Sequence, residues 1–328
     1  MRRHYGLKGL NNMRYRAALR SLLIATLLQV LPGHSIAESS WLNQMIEATQ
    51  TLSYEGSFLY ARGSQIQLMN IRHRVTDAGR EERIWHINGL PMEIIRINEM
   101  LTCYHPEGAS VDLEHTIPSG PFAHVFKKSL MLGLESYQVE HLGKDRVSER
   151  KSDLILLMPN QADRYSYRLW LDEETHLLLR SEIVALDMEV LEQFQFVQIE
   201  LNPVFADHDF KPKLTDPSLS HVEIIPAVNQ NNGLLPKDFN WQLGWLPEGF
   251  KLNQQEAGEG SQSMLNYSDG LSSFSLFFEP ISMGMPIGEQ SMGATWAVTR
   301  HNYAYSMTLI GELPLSSAER ILSAIKPN

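Results

Sequence analysis

The chain has 328 residues, of which 43 % are hydrophobic, with 28 Lys+Arg against 38 Asp+Glu. The apolar share is that of an ordinary globular protein, and the length suggests two domains. A net charge of −10 makes the protein a poor polyanion binder, because neutralised phosphates supply most of such affinity. The single cysteine, Cys103, excludes an internal disulfide.

Residues 1–37 read as an export leader. Arg2, Arg3, Lys8, Arg14, Arg16 and Arg20 precede a short apolar run, 22–31, which ends at Pro32-Gly33 and then Ser35-Ile36-Ala37. Small residues one and three places before Glu38 suit a signal peptidase. The run has about ten residues, too few to span ~30 Å of hydrocarbon as an uncleaved anchor. Met13 would also serve as a start, since Arg14, Arg16 and Arg20 still lead the apolar run. Six Lys+Arg and no acid leave with the leader, so the mature chain carries 22 basic residues against 38 acidic ones, a net charge near −16. The expected compartment is the bacterial periplasm, and such acidity suits an encounter with a basic partner segment.

The first mature segment reads as a helix capped by Ser39 or Ser40, with Trp41, Leu42, Met45, Ile46 and Ala48 on one face. After Thr51 the pattern turns to period two. Short strands are expected over 53–60, 65–73, 83–88, 92–98, 100–104 and 110–115, with links so short that neighbours must be antiparallel. A second helix is expected between Pro121 and Leu134, where Phe122, Phe126 and Leu130 recur every four residues and Gly133 supplies a stop. Strands resume over 137–142, 145–149, 153–158, 164–171, 176–185 and 189–201. The clearest hairpin turns at the polar run 172–175. About a dozen antiparallel strands in one sheet must curl or close.

Residues 203–240 carry Pro203, Pro212, Pro217, Pro226, Pro236 and Asn229-Gln-Asn-Asn-Gly233, and read as an extended linker. From 241 a smaller unit follows: a hairpin over 264–278, strands at 295–300 and 303–311, and a final helix. Ser316 and Glu319 are spaced as a capping box for that helix, and Leu315, Ala318, Ile321, Leu322 and Ile325 form its apolar face. The fold class is therefore α+β and mostly β, with domains at 38–202 and 241–328 either side of the linker.

Catalytic signatures are missing from the sequence. There is no G-x-S-x-G, H-E-x-x-H, Walker loop or G-x-G-x-x-G after a strand. His73, His86, His105 and His115 fall on separate strands with no metal-ligand spacing. Glu81-Glu82 and Glu173-Glu174 are expected at turns, in water. Cys103 reads as a buried, inert thiol, although His105 would share its strand face. The abundant aromatics, Phe58, Tyr60, Ile84 beside Trp85, Phe122, Phe126, Trp170 and Phe194, fit either a packed core or the lining of a cavity in a curved sheet. Met69, Met100, Met131, Met158 and Met188 are flexible enough to line such a site.

Six blocks in order carry a resemblance. They are Gln44-Met45 with Thr51-Leu-Ser-Tyr-Glu-Gly-Ser-Phe58; Arg164-Tyr-Ser-Tyr-Arg-Leu-Trp-Leu-Asp-Glu-Glu-Thr175; Leu191-Glu-Gln-Phe194; Trp245-Leu-Pro-Glu-Gly-Phe250; Tyr267-Ser-Asp-Gly-Leu271 with Phe274; and Leu309-Ile-Gly-Glu-Leu-Pro314. The chain resembles the RseB/MucB family, periplasmic negative regulators of an envelope-stress sigma factor of the sigma-E or AlgU type.

The resemblance implies a large unclosed antiparallel β-barrel, similar to LolA and LolB, followed by a small C-terminal sheet packed by a helix. It implies binding to the periplasmic part of a transmembrane anti-sigma factor (RseA/MucA-like), shielding from site-1 proteolysis, and release on sensing lipid or lipopolysaccharide. It implies no enzyme activity and no cofactor, and a homo-oligomer is compatible with it. A periplasmic lipoprotein or lipid carrier of the LolA type is the alternative. For lipid the expected residues are Phe58, Trp85, Phe122, Phe126 and Met131; for the partner, Trp245, Phe250, Tyr267, Asp269 and Phe274, of which Trp245 and Phe274 read equally as core. If lipid and partner favour different arrangements of the two domains, each weakens the other by the same factor.

Overall fold

The computed structural model describes residues 35–98, 100–104, 133–214, 220–224, 241–257, 263–282, 287–302 and 304–327. Helix α1 (Ser35–Thr51) starts ahead of the expected Ser39 or Ser40 cap. From Trp41 onward its expected stripe faces inward: Leu42, Met45, Ile46 and Ala48 are buried. Trp41 stacks on His141 with ring centroids 5.1 Å apart.

The first sheet contains β1 (Tyr54–Arg62), β2 (Gln65–Thr76), β3 (Gly79–His86), β4 (Glu93–Ile97), β5 (Met100–Tyr104), β6 (Tyr137–Val147), β7 (Arg150–Pro159), β8 (Ser166–Asp172), β9 (Leu178–Val184), β10 (Val190–Leu201) and β11 (Ser220–Ile224). Their order is β11-β5-β4-β3-β2-β1-β10-β9-β8-β7-β6, antiparallel throughout, and the two edge strands do not pair, so the barrel is open. The sheet curls nonetheless. The Ser148 hydroxyl, at the turn after β6, donates to the Phe196 carbonyl on β10, although three strands lie between β6 and β10 in the sheet.

Alternation sets the two faces of this sheet. Tyr54, Phe58 and Tyr60 of β1 point inward with Met69 and Ile71 of β2, and Phe58 meets Phe194 and Phe196 edge-on at 5.2 and 6.2 Å. One inward row is polar. Tyr54, His73, Glu82 and Arg96 lie side by side across β1 to β4. Tyr54 stacks on His73, and Glu82 pairs with His73 at 3.3 Å and Arg96 at 3.4 Å. Glu81-Glu82 is thus not a turn pair: both lie in β3, and Glu82 is buried. Glu173-Glu174 does sit in the β8–β9 turn. The strands expected at 137–142 and 145–149 are one continuous strand, β6, with an irregularity in register between His141 and Gly143. The strand expected at 110–115 and most of the helix expected over 121–134 fall on residues 105–132, outside the described ones. Beyond them, Leu134–Ser136 forms a 3-10 turn.

The opposite face of β2 to β4 is covered by the segment expected to be a loose linker. Residues 203–214 lie across it, with a 3-10 turn at Asp207–Phe210. Arg72 and Arg74 reach Asp209 and Asp207 at 2.5 and 3.1 Å, and Arg74 lies over the Phe210 ring. Arg83 pairs with buried Glu93 at 2.5 Å, and the other Glu93 oxygen accepts the Lys213 amide at 2.6 Å. Further along, β11 adds to the sheet edge beside β5.

The second sheet has the order β13-β14-β15-β18-β17-β16, from β13 (Lys251–Ala257), β14 (Ser263–Ser268), β15 (Ser273–Pro280), β16 (Gly288–Met292), β17 (Thr295–Asn302) and β18 (Tyr305–Gly311), all antiparallel. A short pair joins β12 (Trp241–Leu243) to β19 (Ile325–Pro327). Helix α2 (Leu315–Ser323) buries Ala318, Ile321 and Leu322, as its apolar spacing requires. The expected Ser316/Glu319 capping box does not form. Pro314 is the N-cap, its carbonyl accepts the Ser317 amide, and Glu319 instead pairs with Arg300 at 2.8 Å.

Candidate functional site: the seam between the two sheets

Two stretches of the second sheet finish the core of the first. Leu271, from the β14–β15 turn, and Ala294, from the β16–β17 turn, are fully buried and pack within the first hydrophobic cluster. The backbones approach closely to allow this. A Cβ on Gly133 would lie 1.6 Å from the Asp269 carbonyl oxygen. At Gly293, whose φ is +58, a Cβ would meet the Arg62 side chain at 2.5 Å. Left-handed backbone with no room for a side chain is where glycine has no substitute.

Polar groups line the rest of the seam. Arg164, just before β8, donates from Nη1 to Asp269 Oδ2 at 2.7 Å, and their side chains are 1 % and 0 % exposed. The Tyr137 hydroxyl donates to the same oxygen at 3.1 Å. The other Asp269 oxygen accepts the Leu271 and Ser272 amides at 2.9 and 2.8 Å. Arg164 also binds Asp163 at 2.8 Å and the Glu248 carbonyl. Burial opposes its charge, yet Asp163 and Asp269 outweigh that and hold its pKa above the usual value. Burial, then Asp269, pushes the Tyr137 phenol far above its ordinary range, so it stays a neutral donor. Tyr165 donates to the Leu313 carbonyl at 3.0 Å, and Glu192 accepts the Ala294 amide at 3.0 Å. A buried pair with its remaining lone pairs satisfied is the arrangement that survives desolvation.

The structure places the expected partner residues mostly inside. Asp269 belongs to the seam, and Phe250 and Phe274 pack at 5.3 Å, with Tyr267 stacked on Phe274. All four are buried, so their side chains offer no free surface. Trp245 keeps part of its surface, with the Arg320 guanidinium 3.9 Å above its ring. Of the expected lipid residues, Phe58 lies within the aromatic cluster of the first core. Trp85 points to the opposite face, under Arg72 and Arg83. Phe122, Phe126 and Met131 lie outside the described residues. Cys103 is half-buried on β5. An open cleft of about 420 Å³ lies by Arg74, Arg80, Asn98 and Asp207, at the turn end of β2 to β4. None of the expected residues lines it. The seam itself was missed, because its partners stand as much as 148 residues apart in sequence. Arg164, Tyr165, Glu192, Asp269, Leu271 and Leu313 all occur inside the quoted blocks, and that shared membership was the signal.

Two antiparallel β modules joined through a buried polar seam define a two-domain binding architecture. The chain belongs to the MucB/RseB family: its N-terminal domain matches at residues 37–214 and its C-terminal domain at 236–326. The sigma-E factor regulatory protein RseB of Haemophilus influenzae is 28 % identical over 319 residues, covering 96 % of this chain and 98 % of that protein. The sigma factor AlgU regulatory protein MucB of Pseudomonas aeruginosa is 27 % identical, covering 93 % and 96 %. The complex structure of Pseudomonas aeruginosa MucA/MucB is similar, with a TM-score of 0.69 and 26 % identity over 89 % of this chain and 99 % of that one.

Proposed function

We propose that this protein is a periplasmic regulator that binds the periplasmic region of a transmembrane anti-sigma factor and shields it from site-1 proteolysis. One observation carries the reading: the likeness to the MucA/MucB complex structure extends over 89 % of this chain. The protein acts by binding, not by chemistry, and the leader at 1–37 directs it out of the cytoplasm. The test is protection. Purified mature protein slows cleavage of the cognate anti-sigma periplasmic segment by its protease in proportion to occupancy, and unchanged cleavage at saturation rejects the reading.

Release by lipid is part of the same proposal. A curved sheet that does not close, with an inner face that is apolar apart from the row through His73 and Glu82, suits one acyl chain better than an aqueous solute. Adding lipopolysaccharide to the complex then restores cleavage, and a phospholipid control separates a specific ligand from a general amphiphile. Among the five residues expected for the partner, Trp245 is the one with surface to give. Trp245→Ala weakens partner binding several-fold, measured at a temperature where melting shows the variant folded, because Trp245 also packs against the second core. The alternative, a lipid carrier of the LolA type, is the poorer fit, because the first core is completed by Leu271 and Ala294 of the second module.

A further inference from the structure

The cleft at the turn end of β2 to β4 has braced walls. About 420 Å³ of space there is bounded by Arg74, Arg80, Glu81, Ile97, Asn98 and Asp207. In the β2–β3 turn, the Thr76 hydroxyl donates to the Gly79 carbonyl and accepts the Ala78 amide, both at 3.2 Å. In the β4–β5 turn, the Asn98 amide donates to the Arg80 carbonyl at 2.9 Å, and the Asn98 side-chain oxygen accepts the Arg80 amide at 3.0 Å. That fixes the carboxamide with its oxygen on β3 and its nitrogen left as a donor. At Gly79, whose φ is +128, a Cβ would lie 2.1 Å from that oxygen, so only glycine lets the two turns close up.

Two guanidinium groups from adjacent strands line this space, Arg74 on β2 and Arg80 on β3. Arg74 is held unequally. Its Nε donates to Glu81 Oε2 at 2.7 Å, while its Nη1 meets Asp207 at 3.1 Å, and the Asp207 side chain is 93 % exposed. The segment carrying Asp207 does not depend on that contact. Asp209 binds Arg72 at 2.5 Å and the Ala206 amide at 2.8 Å, and Phe210 is buried. The Asp207 side chain is therefore free to turn into water while its backbone stays, and an exposed ion pair resists this only weakly.

We propose that the cleft is an exchangeable oxyanion site, in which the Asp207 carboxylate holds Arg74 until the singly charged group of a soluble phosphodiester takes its place. With Asp207 turned out, Arg74 and Arg80 face Glu81 alone, which leaves one positive charge to match. A phosphodiester carries one negative charge and two free oxygens for the fork of a guanidinium. Its two substituents suit a space in the size range of small-molecule sites, and Ile97, 42 % exposed on the wall, offers one of them an apolar surface. A simple carboxylate competes less well, because Asp207 is itself one and is tethered beside the site. A net charge of −10 opposes approach to an anionic bilayer, so the ligand comes from solution. The inference stands on the cleft and does not depend on the partner reading.

Amide-resolved NMR of the intact protein, titrated with dibutyl phosphate, tests this at the Asn98 carboxamide. Its signal moves saturably. Asp207→Asn removes the resident charge and tightens binding roughly fivefold; Arg74→Gln weakens it by about tenfold or more. Asp187→Asn, at an exposed acid of the β9–β10 turn, leaves it unchanged. An Asn98 carboxamide that stays put overturns the site. So does equal tightening in D187N, which would report net charge alone. Inorganic sulfate binding as tightly as dibutyl phosphate would mean an adventitious ion only, and sedimentation with phosphatidylglycerol vesicles that R74Q abolishes would overturn the soluble source. If R74Q fails to fold, the contrast between D207N and D187N decides.

Discussion

Arg164 and Arg74 each hold a carboxylate from a distant part of the chain, and the two contacts are not equivalent. Arg164 meets Asp269 at 2.7 Å with both side chains out of water, whereas Arg74 meets Asp207 at 3.1 Å with the aspartate 93 % exposed. The first contact joins two modules through a dry seam; the second pins a proline-rich segment over one face of a sheet. Distance alone does not rank them. A buried charge that loses its partner keeps its desolvation cost, while an exposed one is rescued by water.

That contrast breaks most readily at Asp269. Asp269→Ala leaves buried Arg164 with Asp163 as its remaining carboxylate and strands the Tyr137 hydroxyl and the Leu271 and Ser272 amides; it costs about 3 kcal/mol of unfolding free energy, read by urea titration of the mature protein. A loss under ~1 kcal/mol would mean that water reaches the seam. An effect no larger comes from Glu82 in the inward polar row. Burial would raise its pKa, but Arg96 and His73 override that and hold it near about 2. Its lowered pKa gives stability that is present above the unfolded carboxyl value and lost as pH falls toward 2. The loss is of order 3 kcal/mol across that window, and Glu82→Gln, followed by thermal melting at pH 3 and 7, narrows the difference between the two melting temperatures. Next, Tyr165→Phe removes one hydrogen bond across the seam, to the Leu313 carbonyl. It costs ~1 kcal/mol by chemical denaturation and raises the exchange rate of the Ala294 amide. Least of all, Asp207→Ala on the outer clamp leaves the melting temperature unchanged within error. A measurable drop there would move the clamp into the same category as the seam.

The pattern of strands was legible where runs of β-forming residues are bounded by polar turn residues. The hairpin around 172–175 is the plainest case: β8 and β9 flank a turn in which Asp172 takes the Thr175 amide and hydroxyl at 2.9 Å each. Legibility failed where a polar residue is buried by something distant in sequence. Residues 203–214 cover the outer face of β3 at Arg83, while Glu82, expected at a turn, is buried on the inner face beside His73 and Arg96. The linker misled for the matching reason. Its prolines do prevent regular pairing over 203–214, yet its acids find arginines on β2 that no local pattern announces. In α2 the apolar face was correct and the cap was not, because Arg300 on β17 draws Glu319 away from the backbone. The seam lay beyond reach of periodicity altogether: Arg164 and Asp269 are 105 residues apart, and each reads locally as an ordinary polar residue beside a strand or turn.

Gly133 sits so close to the Asp269 carbonyl that even one methyl group finds no room. Its position therefore acts as a gauge of how near the halves may come, set by bare main chain rather than by any side chain that could fold aside. An alanine there is a wedge of known thickness, driven into the joint without altering a single charge. It offers a way to hold the halves ajar and ask which of the protein's duties needs them shut.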